Sequence, residues 1–239
     1  MSKRLEFTDL VLFEDDNYLV INKPAGLSTL EDRASETDVL SLAKEHFANA
    51  QVCHRIDKDT SGALVLAKNP EAYTHLSLQF QHREVGKKYH AVVHGSREFK
   101  EQVVDVPLTV KAQGAVRWDT RHGKDSQTVF TTLELYKVCS LIECKPITGR
   151  RHQIRVHLKY LENPIIADTS YGGHSIYLSQ LKRKYHPGRR PERALIERMA
   201  LHAHSISFTS PDNKSISIEA PYPKDFEILL KQLRKYSST

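Results

Sequence analysis

An α+β fold built as one domain is what the sequence predicts, on three observations. Apolar stretches with strand character are separated by links of only a few residues, which suits antiparallel hairpins better than repeated helical crossovers. Segments with apolar residues at helical spacing are interspersed among those strands. No internal repeat, heptad run or linker interrupts the chain, so one domain is preferred to two.

Val11 to Asn22 reads as two short strands about the turn-rich Glu14-Asp15-Asp16-Asn17, and Lys23-Pro24-Ala25-Gly26 ends the second. Residues 1–10 are therefore read as an N-terminal tail and 11–239 as the folded domain. From Asp38 to Phe47, the residues Val39, Leu42, Ala43 and Phe47 fall at helical spacing, with Asp38 placed to cap the start. A strand follows at Gly62 to Ala67. Asn69-Pro70-Glu71 supplies an N-cap and then a proline at the first helical position. Tyr73, Leu76 and Phe80 carry that helix, which should stop near Gly86. Tyr89 to His94 is rich in β-formers, and Gln127 to Tyr136 with Leu141 to Cys144 reads as a second hairpin. Thr148-Gly149 breaks the strand pattern. Beyond it Ile154, Leu158 and Leu161 share a helical face, with Arg151, Arg155 and Lys159 in a stripe beside it. Leu201 to Phe208 and Ile216 to Glu219 read as two further strands, and Lys224 to Lys235 as the last helix.

At 239 residues the chain is long enough to bury a genuine core, and 39% hydrophobic with 27% charged residues is an ordinary globular balance. No stretch approaches the ~20 apolar residues that span a bilayer. The apolar run after the basic Met1-Ser2-Lys3-Arg4 is cut short by Glu14, Asp15 and Asp16, so export is not expected and a cytoplasmic location is. Cys53, Cys139 and Cys144 form no C-x-x-C pair, which fits buried thiols in a reducing compartment. Lys and Arg outnumber Asp and Glu by 35 to 29, a net charge of +6 that suits a polyanionic partner.

Two polar clusters could carry chemistry. The first, His54-Arg55-Ile56-Asp57-Lys58-Asp59-Thr60-Ser61-Gly62, lies just before an apolar strand. It reads either as a surface turn or as a strand-edge carboxylate kept ionised by a nearby arginine and used as nucleophile or base. Spacing does not choose between Asp57 and Asp59. The second, Lys145-Pro146-Ile147-Thr148-Gly149-Arg150-Arg151-His152-Gln153-Ile154-Arg155, passes from a strand through a turn into a helix. It reads either as a solvated basic face or as an anion site at a helix N-terminus.

In this order the two clusters identify a family. The first closely resembles the H-R-L-D-x-x-T-S-G signature of RluA-type pseudouridine synthases, with Ile56 in place of leucine. Lys87-Lys88-Tyr89 resembles the second motif of that family. Gly149-Arg150-Arg151-His152-Gln153-Ile154-Arg155-Val156-His157 resembles its G-R-x-H-Q-I-R-x-H motif, and Leu201-His202-Ala203 a fourth, weaker element. The matches run in family order from about residue 11 to 211.

The resemblance implies a central, mostly antiparallel mixed sheet with flanking helices and a cleft that holds RNA, and it selects Asp57 over Asp59. By position, Asp57 would attack or deprotonate the target nucleoside, Arg155 would pair with it, and Tyr89 would lie against the uracil. Arg55 would reach into the RNA near the vacated base, Ile154 would wall the pocket, and Arg150, Arg151 and His152 would contact substrate. The implied reaction breaks the N1 to C1′ bond, turns the uracil and forms a C5 to C1′ bond. No atom is gained or lost and no cofactor is needed. The expected substrate is structured RNA, ribosomal or transfer, bound by a short member without an S4 module that acts as a monomer. The alternative is an RNA-binding or RNA-folding protein of the same fold without catalysis; a hydrolytic glycosylase would instead release uracil.

Other signals are discounted. The thirteen histidines show no H-E-x-x-H, and His152 and His157 lie about 140° apart around a helix, so no metal is expected. Ser61 lacks a nucleophile elbow and reads as a structural hydroxyl. Trp118 and Tyr171 receive no role. Residues 182–193 hold Lys182, Arg183, Lys184, Arg189, Arg190 and Arg193 with Pro187, Gly188 and Pro191, an exposed loop whose Arg183, Arg189 and Arg190 are expected to meet RNA phosphates.

Overall fold

The structure, a computed structural model, describes residues 6–31, 37–111, 114–186, 188–189 and 191–238. In chain order its elements are β1 (Val11–Glu14), β2 (Tyr18–Lys23), α1 (Val39–His46), β3 (Gln51–Val52), β4 (Ser61–Ala67), α2 (Pro70–His82), β5 (Gly86–His94) and β6 (Gln102–Asp105). There follow β7 (Leu108–Val110), β8 (Val116–Trp118), β9 (Gln127–Leu135), β10 (Cys139–Pro146), α3 (Gln153–Tyr160), α4 (Leu178–Leu181), β11 (Leu201–Thr209), β12 (Ser215–Glu219) and α5 (Lys224–Tyr236). The class is α+β with mixed pairing: antiparallel pairs predominate, and β4 runs parallel to β11. The chain divides into two compact units, residues 1–88 with 202–221, and residues 89–201 with 222–239.

In the first unit β4 is the central strand, paired with β2, β3 and β11, while β1 and β12 extend the pairing outward. Every residue of Ser61-Gly62-Ala63-Leu64-Val65-Leu66-Ala67 is buried, as a strand covered on both faces requires. Tyr18, Val20, Val65, Leu76, Ile206 and Phe208 build the core on one side of it. α2 docks there through Ala72 and Leu76. Its start follows the sequence: Asn69 accepts the Ala72 N–H at 2.9 Å and Pro70 opens the first turn. Its end does not. The helix closes at His82 because Arg83 takes a left-handed conformation (φ 63°), and Gly86 opens β5 instead.

In the second unit β10 lies between β5 and β9, and β9 also pairs with β6. Phe130, Ile142, Leu158, Phe226, Leu229 and Leu233 fill its core. Leu158 comes from α3, which buries the face that its spacing assigns, and the last three come from one stripe of α5. The β7–β8 hairpin forms a small sheet of its own. This hairpin, β6, β3 and α4 are elements the sequence pattern does not announce. Each is two to four residues long, too short for a period to register.

Candidate active site

The first polar cluster is a loop held from below. Lys23 is fully buried at the end of β2, and its ammonium donates to the carbonyls of Pro24 (2.9 Å), Leu27 (2.7 Å) and Lys58 (3.0 Å). Desolvating that charge is tolerable because carbonyls replace its water. The Thr29 hydroxyl donates to the Ile56 carbonyl (3.0 Å), the Gly26 N–H to the Lys58 carbonyl (2.9 Å) and the Thr60 N–H to the Asp57 carbonyl (3.0 Å). Main chain on both sides of Asp57 is thus fixed. Asp57 itself is half-buried, whereas Arg55 and Asp59 are exposed.

His54, Ser61 and Gly62 of that cluster are structural. Gly62 sits at φ +115° with the Ala203 carbonyl where a Cβ would lie, 2.2 Å away, so no other residue fits. The Ser61 hydroxyl meets His202 Nδ1 at 2.9 Å, and His202 Nε2 meets the Ala220 carbonyl at 3.0 Å. A carbonyl only accepts, so Nε2 carries a proton. This is the structural hydroxyl expected of Ser61. His54 Nε2 accepts the Val65 N–H at 3.2 Å while its ring stacks on Phe80, 4.8 Å between centroids. Burial, helped by the nearby Lys87 cation, pushes its pKa down to about 3.

In the second unit the turn before α3 is organised by Gln153, a buried residue of the motif to which the sequence reading gives no task. Its Oε1 accepts the Thr148 hydroxyl (2.7 Å) and the Arg150 N–H (2.9 Å), and its Nε2 donates to the Gln127 carbonyl and the Thr128 hydroxyl oxygen (both 2.9 Å). Thr128 then donates to His157 Nδ1 (2.9 Å), and His157 Nε2 donates to the Val106 carbonyl (3.0 Å). Burial holds the His157 pKa below its ordinary value, consistent with a neutral link in this chain. Gln153 and His157 therefore fasten the helix, leaving Arg150 and Arg151 exposed on the turn. Ile154 is buried in the core.

Arg155 faces a buried carboxylate in its own unit. Its Nε and Nη2 donate to the two Asp168 oxygens at 2.8 and 2.7 Å, with the Asp168 side chain only 1% exposed. The guanidinium lies over the Tyr171 ring, 4.8 Å from its centroid. The Tyr171 hydroxyl meets His152 Nδ1 at 2.7 Å and accepts the Val116 N–H at 3.3 Å. Asp168 and Tyr171 come from a tight turn that needs glycine at 173, where a Cβ would lie 1.8 Å from the Ile165 carbonyl. Neither Asp168 nor Tyr171 is among the predicted site residues. The only sequence signal is a lone acid followed by a Tyr-Gly-Gly turn after an apolar run. Tyr89 stands on β5 opposite Cys144, half-buried against the core of the same unit.

Arg183 and Arg189 are exposed in the basic loop, Arg190 lies outside the described residues, and Glu192 anchors the segment by accepting the Ser179 N–H at 2.8 Å. Among the described residues no group of three His, Cys, Asp or Glu could hold a metal, and no helix is long and apolar enough to cross a membrane.

The sequence profile of the family described as RNA pseudouridylate synthase matches residues 17–160, a span that includes both the Asp57 loop and the turn before α3. The chain belongs to that family. Its members are isomerases that convert uridine in RNA to pseudouridine, the activity to which the motif order points. A ribosomal large subunit pseudouridine synthase C from Vibrio cholerae is 33% identical, over 98% of this chain and 72% of that protein. An uncharacterized RNA pseudouridine synthase from Bacillus subtilis is 34% identical, over 94% of this chain and 73% of its own length. Among solved structures, human RNA pseudouridylate synthase domain containing 4 superposes with a TM-score of 0.72 at 28% identity, over 95% of this chain and 94% of that one.

Proposed function

We propose that this pseudouridine synthase isomerises specific uridines of structured RNA, in large-subunit ribosomal RNA ahead of transfer RNA, with Asp57 as its essential carboxylate. The observation that carries the reading is the run from His54 to Gly62, which has the family's pattern and lies on a loop whose main chain is held at Ile56, Asp57 and Lys58. A nucleophile or base needs that fixity, since small displacements of a reacting group cost large factors in rate. The ribosomal preference rests on the names of relatives such as the Vibrio cholerae enzyme.

In this reading Arg155 keeps Asp57 ionised, Tyr89 lies against the uracil, and Arg55 enters the space the flipped base leaves. Ile154 limits the pocket on its apolar side, and Arg150, Arg151 and His152 take the RNA beside the target. Arg183, Arg189 and Arg190 tether more distant phosphates. Unstacking a uridine costs a few kcal/mol, which these phosphate and stacking contacts offset. The reaction is an isomerisation, so these side chains suffice without a cofactor. Residues 11–239 act as one catalytic domain, in a monomeric cytoplasmic enzyme. Mapping pseudouridines in RNA from cells that lack the gene tests the target: loss at one or a few uridines of large-subunit ribosomal RNA is expected. An unchanged ribosomal map with losses in transfer RNA would move the substrate, and no change anywhere would leave an RNA-binding protein without catalysis.

A further inference from the structure

A cavity of about 450 Å³ opens between the β7–β8 hairpin and the turn before α3, a size suited to a small ligand. Arg150 and Arg151 form one wall. The others come from residues with no role so far: Leu108, Thr109, Val110 and Val116 of the hairpin, then His122 and Lys124 of the segment leading to β9.

The lining has two chemistries. The hairpin supplies an aliphatic floor with one hydroxyl, and the rim is cationic without a single carboxylate. Among the described residues no acid pairs with Lys124, Arg150 or Arg151. Of the two acids in this segment, Asp125 meets Arg150 only through its main-chain carbonyl, and Asp119 is occupied: it accepts the N–H groups of Arg121 (3.1 Å) and His122 (3.0 Å) and lies 3.7 Å from Arg117. Uncompensated cations around an apolar floor call for an anion that carries a hydrophobic body.

The walls are preformed. Leu108 and Lys124 exchange backbone hydrogen bonds at 2.9 and 2.8 Å, and Val116 is tied by its N–H to the Tyr171 hydroxyl. The Arg150 side chain is pinned by Nε to the Asp125 carbonyl at 3.0 Å, and its own N–H by Gln153. A ligand here would meet side chains already in place, which lowers the entropic cost of binding.

We propose that this cavity binds one nucleotide of the substrate RNA other than the uridine that is isomerised, its base against the exposed Val110 and its phosphate on Lys124, Arg150 and Arg151. A bare phosphate would leave the exposed Val110 wet, and an apolar ligand would leave the cations unanswered. The inference rests on the RNA-modifying reading and extends it: a second unpaired nucleotide is held here, so the enzyme selects RNA in which that nucleotide can also leave its stack. A free mononucleotide has the same chemistry, and the test must separate the two sources.

The test places photoreactive benzoylphenylalanine at Thr109 of the full chain and irradiates it with large-subunit ribosomal RNA from cells lacking the gene. The crosslink is mapped by primer extension. One nucleotide at a fixed offset from the isomerised uridine is expected; a crosslink to that uridine, a scatter of sites or none would overturn the proposal. In parallel, Lys124→Gln and, at an exposed hairpin position that leaves folding intact, Val110→Asp should each weaken RNA binding several-fold. For Lys124→Gln the salt slope should fall by about 0.7 log units, the effect of leaving one single-strand phosphate without its cation. The single-turnover rate at saturating RNA should hold. Unchanged affinity in both variants would contradict the proposal, as would tight binding of free UMP or AMP that RNA fails to displace. Should the wild-type protein make no pseudouridine, the functional reading fails, while the salt slope and the restriction of the crosslink to one nucleotide or its scatter still report on the cavity.

Discussion

Arg155 shows what a single side chain contributes here. Its planar fork meets both Asp168 oxygens and its face lies on Tyr171, an arrangement that an ammonium cannot copy. Arg155→Lys is therefore expected to lower the single-turnover rate about a hundredfold, the equivalent of one charged hydrogen-bond pair at ~3 kcal/mol, with RNA affinity changed only a few-fold. Stopped RNA-labelling assays at saturating enzyme check it; a wild-type rate would make Arg155 a peripheral phosphate ligand. His54 carries a second prediction. Its folded pKa of about 3 lies below the ordinary value of 6.5, so the folded state gains its proton later than the unfolded chain as pH falls. Stability is complete above pH 6.5 and declines from there toward pH 3, by no more than about 1.4 kcal/mol per pH unit for one proton. Urea midpoints across that window should show the decline, and His54→Gln should flatten it. The motifs single out Asp57 and Arg155 in the sequence. Asp168 and Gln153 are not, since a sequence shows that a side chain is polar without showing which groups it will face after folding.

At the scale of elements, the turn and helix from Thr148 to Tyr160 stand on one amide. Gln153→Leu keeps the volume but abandons the Thr148 hydroxyl, the Arg150 N–H, the Gln127 carbonyl and Thr128. With buried groups left unsatisfied at ~1–3 kcal/mol each and some regaining water, a loss of roughly 2–4 kcal/mol is expected in denaturant titrations. A loss below 0.5 kcal/mol would mean that the network is dispensable. The basic loop is tested differently. Replacing Arg183, Arg189 and Arg190 with glutamine should reduce the salt slope of RNA binding by roughly 0.7 to 0.9 log units for each phosphate that is no longer neutralised, while the rate at saturation holds. An unchanged slope would make the loop merely solvated. Helices α2, α3 and α5 and strands β2, β4 and β11 are legible because they are long enough for caps and periods to register. The stretch from 95 to 126 is not: β6, β7 and β8 hold only three or four residues each, and their pairing is decided by partners elsewhere in the chain.

For the whole molecule, a net charge of +6 and the run of motifs point to an enzyme that grips a polyanion and rearranges one base in it. Composition alone names the kind of partner; the reaction becomes legible only where the Asp57 loop and the turn before α3 occur in family order. Asp57 carries the proposed chemistry, since its carboxylate is the one group proposed to act on the nucleoside itself. The direct measurement is tritium release from large-subunit ribosomal RNA labelled at uracil C5, with the wild-type protein compared with Asp57→Asn and Asp59→Asn. Amide and carboxylate match in size but not in charge or nucleophilicity, so Asp57→Asn should bind RNA normally and release no tritium above background, while Asp59→Asn turns over at close to the wild-type rate. Sustained tritium release by Asp57→Asn would contradict the account.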